Sequence, residues 1–209
     1  MSDIDMIRIS NNGNPFLETE AAQDAMMSGR RQEDLQPDEV MFSQAARAEQ
    51  VCRGSREGYE RRAAAGRFAN ELSADVIAFI GERDSAYFAT ATADGQPYVQ
   101  HRGGPPGFLK VLDERTIAFA DYAGNRQYIT IGNLAVNERA FLFLMDYAGA
   151  RRLKLWGRAR VSDDQALLAR IVEPAYPARI ERAILFTVLA WDWNCSQHIP
   201  KLMTTERAR

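Results

Sequence analysis

Gln100-His101-Arg102-Gly103-Gly104-Pro105-Pro106-Gly107-Phe108 and, one hairpin later, Asp121-Tyr122-Ala123-Gly124-Asn125-Arg126-Gln127 are the stretches on which the reading of this chain turns. Polar, cationic and glycine residues gather there, between segments that otherwise read as plain buried strands. Such a pattern suits holding a flat, phosphorylated ligand against the edge of a sheet.

Working outward, the period on either side is two. Ala86 to Thr92 reads as a strand, Ala93-Asp94-Gly95-Gln96 as a turn carrying the Asp-Gly signal, and Pro97 to Arg102 as the returning strand. Phe108 to Leu112 and Thr116 to Asp121 form a second hairpin about Asp113-Glu114-Arg115. A short helix is expected from Arg126 to Val136, then a strand over Ala140 to Asp146. Residues 151–161 alternate: Arg152, Lys154, Trp156, Arg158 and Arg160 on one face; Leu153, Leu155, Gly157, Ala159 and Val161 on the other. Ser162 is expected to cap a helix reaching Val172, and Ala183 to Trp191 reads as the last strand. Many antiparallel hairpins with few helices give a mainly β, α+β fold: a barrel with helical additions.

Upstream the period is helical. Ser73 is placed as an N-cap and Asp75 in the first turn, with Val76, Ile77 and Ile80 as the apolar stripe and Gly81 as the stop. Residues 43–72 are rich in Ala, Glu, Gln and Arg and read as a helical extension broken near Gly54 and Gly58. Residues 1–42 are polar and without period, and read as an arm that orders only against a partner. The barrel domain is therefore expected over 73–205.

The chain's 209 residues, 46% hydrophobic and 10% aromatic, suffice for one domain with a full core. A net charge of −2 gives no general pull toward nucleic acid or anionic membrane. Only Lys110, Lys154 and Lys201 are lysines, so a phosphate grip here would be a planar guanidinium. Cys52 and Cys195 suggest no disulfide framework. With no signal-peptide pattern and no apolar run long enough for a membrane helix, a reduced, cytoplasmic protein is expected.

Laid out this way, the chain resembles the pyridoxamine 5′-phosphate oxidase-like flavoproteins, the FMN-binding split-barrel family. The resemblance spans Ser73 to Lys201. It is tightest over Thr92 to Tyr98, over His101-Arg102-Gly103-Gly104-Pro105 and over Gly124-Asn125-Arg126-Gln127. The tail Trp191-Asp192-Trp193-Asn194-Cys195-Ser196-Gln197-His198-Ile199-Pro200 is similar to that of an uncharacterised branch. The resemblance implies an antiparallel split barrel that forms a homodimer, with FMN bound between the subunits. The strand of the oxidases that touches the flavin falls on Gln100, His101, Arg102 and Gly103. Their Ser-Arg-Lys phosphate run falls on Asn125, Arg126 and Gln127, and their Tyr-Thr pair becomes Ala120-Asp121. Lysine has thus become Gln127, and the oxidases' C-terminal arginine-rich substrate contacts have no match. Pyridoxamine phosphate is accordingly not the expected substrate.

Arg126 leads the candidates: Asn125 is placed to cap the helix while Arg126 and first-turn N–H groups face a phosphate. The bland alternative is a surface arginine. Arg102 is a second cation, and Gly103-Gly104 would let the backbone approach a flat ring, the alternative being a bulge and a Pro-Pro loop. Asp121, Arg152 (near the family's pyrimidine-edge contact) and Trp191 complete the cofactor set. The basic face of 151–161 reads as a solvated or dimer face rather than a nucleic-acid stripe. Cys195 and His198 are spaced Cys-x-x-His, yet His101 and Cys52 are the only other residues of those types, so no four-ligand metal site can be drawn. For general acid–base or thiol chemistry the candidates are His101, His198 and Cys195.

The leading expectation is an FMN-dependent oxidoreductase on a small molecule, with a nicotinamide as a visiting donor because no dinucleotide fingerprint is present. The competing readings are a non-catalytic flavin-binding or flavin-sensing module, and a binder of another flat cofactor such as haem or a deazaflavin.

Overall fold

The change of period after Gly81 is where the sheet begins. The computed structural model describes residues 35–194 and 196–200. Within them, β1 (Ser85–Ala91), β2 (Pro97–Gly103), β3 (Lys110–Asp113), β4 (Thr116–Tyr122), β5 (Arg139–Asp146), β6 (Arg151–Ser162) and β7 (Ile180–Trp193) form a single sheet. Its order is β2-β1-β5-β6-β7-β4-β3, with every pair antiparallel. The sheet is rolled. Although β1, β5, β6 and β7 lie between β2 and β4 in that order, Arg102 of β2 reaches Asp121 of β4 at 2.7 Å. Likewise Phe88 of β1 packs edge-on against Phe119 of β4 at 5.4 Å. The result is a split barrel with the seam between β2 and β4.

Alternation explains why it rolls. The inward residues Phe88, Leu142, Leu144, Leu153, Leu155, Phe119, Ile184 and Phe186 are completely buried and form one cluster. Burying each such side chain contributes about 1.5–3 kcal/mol, and the sheet buries them by closing on itself around a core that also takes in Val76, Phe79 and Ile80. Gly157 is a forced choice at the bulge between Trp156 and Gly157. A Cβ there would lie 2.2 Å from the Thr187 carbonyl oxygen and 2.6 Å from Phe186 Cζ. Gly157→Ala is expected to cost roughly 3 kcal/mol, read from urea unfolding; an unmoved midpoint would contradict this packing.

Six helices are described: α1 (Pro37–Met41), α2 (Gln44–Cys52), α3 (Arg56–Ala64), α4 (Ala74–Gly81), α5 (Ile129–Val136) and α6 (Gln165–Ile171). Several boundaries differ from the sequence reading. In α4 the buried residues are Val76, Phe79 and Ile80, whereas Ile77 is exposed. Positions 76, 79 and 80 share a helix face, and 77 points about 100° away from 76. Ser162 still belongs to β6, paired with Ala183, so Asp164 caps α6 instead by accepting from the N–H groups of Ala166 and Leu167. β7 is longer than expected at both ends.

Residues 1–34 of the anticipated arm lie outside the described residues; its remainder holds α1, with Pro37 at the start. The extension breaks at Gly54 (φ 71°), while Gly58 lies inside α3. This segment is fastened to the far end of β7. Trp191 Nε1 donates to the Glu71 carbonyl at 2.8 Å, and Arg62 pairs with Asp192 at 3.3 Å. No described helix is long and apolar enough to cross a membrane.

Candidate functional site

The site grows out of the alternation of β2. Tyr98, Gln100 and Arg102 are half-buried along one face, and Val99 and His101 are exposed on the other. At the seam the inward face of β2 meets the end of β4 and the loop that follows it. The loop carries two non-glycine residues in the left-handed region, Arg126 (φ 60°) and Tyr128 (φ 53°), and then becomes α5. Such conformations are sparsely populated and persist where the surroundings impose them. Together these elements enclose a cleft of about 230 Å³.

Gln100, Arg102, Asp121, Asn125, Arg126 and Gln127, which the sequence singled out, all line this cleft. The expected capping differs, however. α5 starts at Ile129 with Tyr128 at its N-cap, because the left-handed residues at 126 and 128 interrupt any earlier helix. Asn125 instead accepts from the Gln127 N–H at 3.2 Å and shapes the loop. α5 is held on the sheet by amides. Asn133 donates to Thr90 Oγ1 at 3.0 Å, and Asn137 donates to the Thr92 carbonyl at 3.1 Å. Thr130 donates to Gln100 Oε1 at 2.8 Å, which leaves the amide NH2 of Gln100 as its group for a ligand.

The charges of the cleft are unequally engaged. Asp121 is buried and accepts from Arg102 Nη1 at 2.7 Å, and Arg182 Nε stands 3.5 Å from its other oxygen. Arg182 also meets Glu181 at 2.9 Å, and Arg179 meets Glu181 at 2.8 Å. Arg126 is different. Among the described residues it has no carboxylate partner, and its Nε donates to Tyr128 Oη at 3.4 Å. That hydrogen bond, then the neighbouring charges of Tyr128 and Glu181, push its pKa above the ordinary arginine value. It is a cation at any working pH. Tyr122 is kept a neutral phenol, its pKa raised by burial and then by Tyr176 and Glu173.

The other candidates lie elsewhere on this chain. His101 points from the opposite face of β2, with its ring 5.8 Å from Tyr87. A Cβ on Gly103 would sit 3.2 Å from His101 Cε1, and one on Gly104 would sit 2.7 Å from Phe108 Cβ. Gly104 thus has a packing reason of its own, against buried Phe108, whereas at Gly103 the nearest neighbour is the exposed His101 side chain. Arg152 donates to the Gln197 carbonyl at 3.4 Å, at the end of β6 opposite to Ser162. Trp191 is nine residues along β7 from Arg182, roughly 30 Å of strand, and is committed to Glu71. His198 is exposed in the tail, and Cys195 lies outside the described residues. On the basic face of β6, Lys154 and Arg158 face Asp192 and Glu138, at 3.6 and 3.7 Å.

Tyr98, Tyr128, Thr130, Glu181 and Arg182 were not anticipated. Tyr98 shares the period of Gln100 and Arg102, and Tyr128 and Thr130 directly follow the quoted loop, so these three carried a local signal. Glu181 and Arg182 come to the site only through the pairing of β4 with β7, where Asp121 sits opposite Arg182. The assembled cleft can hold an anion at Arg126 and offer donors from Gln100.

None of the curated proteins compared with the chain matches it. Among solved structures, HupZ of Group A Streptococcus is similar at 14% identity, over 63% of this chain and 99% of that one, with a TM-score of 0.48. A Clostridium acetobutylicum protein related to general stress protein 26 is 14% identical over 63% of this chain and 93% of its own, with a TM-score of 0.45. An FAD binding protein of Mycobacterium smegmatis is 15% identical over 60% and 98%, with a TM-score of 0.42. Likenesses of that order say nothing about ligand or reaction. The model of the pyridoxamine 5′-phosphate oxidase family, by contrast, matches residues 72–193, which include every residue lining the cleft. With more than half its length covered by that match, the chain belongs to the pyridoxamine 5′-phosphate oxidase family.

Proposed function

We propose that this protein is an FMN-binding oxidoreductase acting on a small molecule, with the cofactor held in the Gln100–Arg102–Arg126 cleft of each of two subunits. The observation that carries the reading is Arg126: an exposed guanidinium without a carboxylate partner among the described residues, held at the mouth of a cleft by a left-handed backbone. Its remaining N–H groups suit a phosphate in a bidentate manner. The Gln100 amide and the free valences of Arg102 suit the carbonyl edge of a flat ring. FMN, when bound, supplies the transfer of a hydride or an electron pair; the chain's share is to bind, orient and exclude water.

The cleft's volume supports a second subunit. Pockets for molecules of this size run to roughly 300–1,000 Å³, so the 230 Å³ here is a partial enclosure. Ile129, 40% exposed, lines the cleft. Val99, on the opposite face of β2, is 58% exposed, and Val136, at the far end of α5, is 67% exposed. A second copy packed against β2 and α5 would cover such side chains and bring side chains of its own to the cleft. Arg152 and Trp191, remote from the cleft within one chain, would then serve the partner's. We place the boundary between helical extension and barrel between residues 72 and 73, a reading supported by the start of the family match at residue 72.

A non-catalytic flavin carrier or sensor is the second reading, favoured by one observation. Among the described residues the cleft holds neither histidine nor cysteine, and its buried acid, Asp121, is tied to two arginines. Anaerobic addition of NADH or NADPH to the flavin-loaded protein separates the two. Bleaching of the flavin band with recovery in air, or with an added acceptor, is expected of the oxidoreductase. A bound flavin inert to both nicotinamides and to a panel of small-molecule reductants would favour the carrier. A haem or a deazaflavin would declare itself by its own absorption bands.

A further inference from the structure

Tyr128 occupies a place that costs the fold and that folding does not explain. It stands at the N-cap of α5 in the left-handed region (φ 53°), where serine, threonine, aspartate or asparagine would bond the first turn and glycine would carry no strain. It makes no side-chain cap bond, and 43% of it is exposed. Neither a side-chain cap nor full burial therefore offsets a conformation that costs a tyrosine about 1–2 kcal/mol. Among the described residues its side chain has two polar contacts, one with Arg126 of the cleft lining and one with Arg182 beside it. The Arg182 guanidinium sits over its ring at 5.5 Å, and its hydroxyl accepts from Arg126 Nε at 3.4 Å. Arg182 is in turn fixed by Asp121 and Glu181.

From this geometry we infer that Tyr128 is a positioning residue: it orients Arg126 for the ligand's phosphate and ties it to the Asp121–Arg182 network. This inference rests on the reading that Arg126 holds the phosphate of FMN. Engaging Nε leaves the two Nη groups of Arg126 as a free fork, the edge that a phosphate takes. The ring, pinned from behind by Arg182, keeps the hydroxyl where that fork needs it. A long exposed arginine otherwise samples many rotamers, and fixing it beforehand removes that ordering cost from binding.

The test compares FMN with riboflavin, which lacks the phosphate, by fluorescence-quenching titration of the apoprotein. Tyr128→Phe keeps the ring and the backbone and deletes only the hydroxyl. It is expected to weaken FMN about five-fold while leaving riboflavin within two-fold of the parent, as for loss of one exposed hydrogen bond to a charged group. In an Arg126→Ala background the same change should have no further effect on FMN. An unchanged FMN affinity, an equal loss for both ligands, or full additivity with Arg126→Ala would each overturn the positioning role. If Arg126→Ala weakens FMN but Tyr128→Phe does not, the phosphate placement stands and this inference alone fails. If Arg126→Ala itself leaves FMN binding unchanged, the phosphate lies elsewhere and both fall.

Discussion

Replacing Asp121 with alanine is expected to destabilise the protein by about 3 kcal/mol and to open the seam of the barrel. Asp121 accepts from Arg102 at 2.7 Å, with only 11% of either side chain exposed, and Arg182 Nε approaches its second oxygen. Removing one partner of a buried pair costs about 3–5 kcal/mol, chiefly because the remaining charge is left without compensation. Here two guanidinium groups are left so, although Arg182 is partly exposed and keeps Glu181, which argues for the lower end of the range. The pair as a whole is not expected to be a large net stabiliser. Arg102→Met combined with Asp121→Leu should recover most of the lost stability, since apolar residues of similar volume replace buried ion pairs at little cost. Urea unfolding of the three variants distinguishes these effects. A loss below about 1 kcal/mol for Asp121→Ala would mean that the seam is held by other contacts.

The second large effect concerns binding. Arg126→Ala is expected to weaken FMN by roughly 10- to 100-fold, the range for a hydrogen-bonded charge lost from a phosphate site, with little change for riboflavin. Because Arg126 has a positive φ and no carboxylate partner among the described residues, its removal should not lower stability. Arg126→Gly is the sharper form of the experiment. Glycine adopts a positive φ without penalty, so the melting temperature should rise while FMN affinity falls. Movement of the two readings in opposite directions marks a residue retained for its ligand. A fall in both would identify Arg126 as structural.

The fold was largely legible because the two periods are clean. Ala86 to Thr92 and 151–161 alternate without interruption, Asp94-Gly95 marks its turn, and Gly81 marks the end of α4. The misplaced boundaries have physical causes. Asn125 resembles an N-cap, but left-handed residues at 126 and 128 delay α5 to Ile129, and nothing local distinguishes a tyrosine that will take that conformation. Ser162 resembles a cap too, yet its pairing with Ala183 keeps it in β6, a tertiary contact that overrides a local preference. The cleft was legible where its residues are neighbours in sequence. Arg182 and Glu181 were not, since β7 reaches the site through register alone, and Tyr128 was marked only by its place directly after the Gly124–Gln127 run. His101 entered the candidate set through the resemblance and as one of only two histidines, whereas the period of two turns it to the other side of β2.

The most direct test of the central claim is the absorption spectrum of the purified protein, with mass spectrometry of the molecule released by heat. The proposal expects the paired visible and near-ultraviolet bands of an oxidised flavin and a released mass equal to that of FMN. A colourless protein that also fails to quench the fluorescence of added FMN would contradict it.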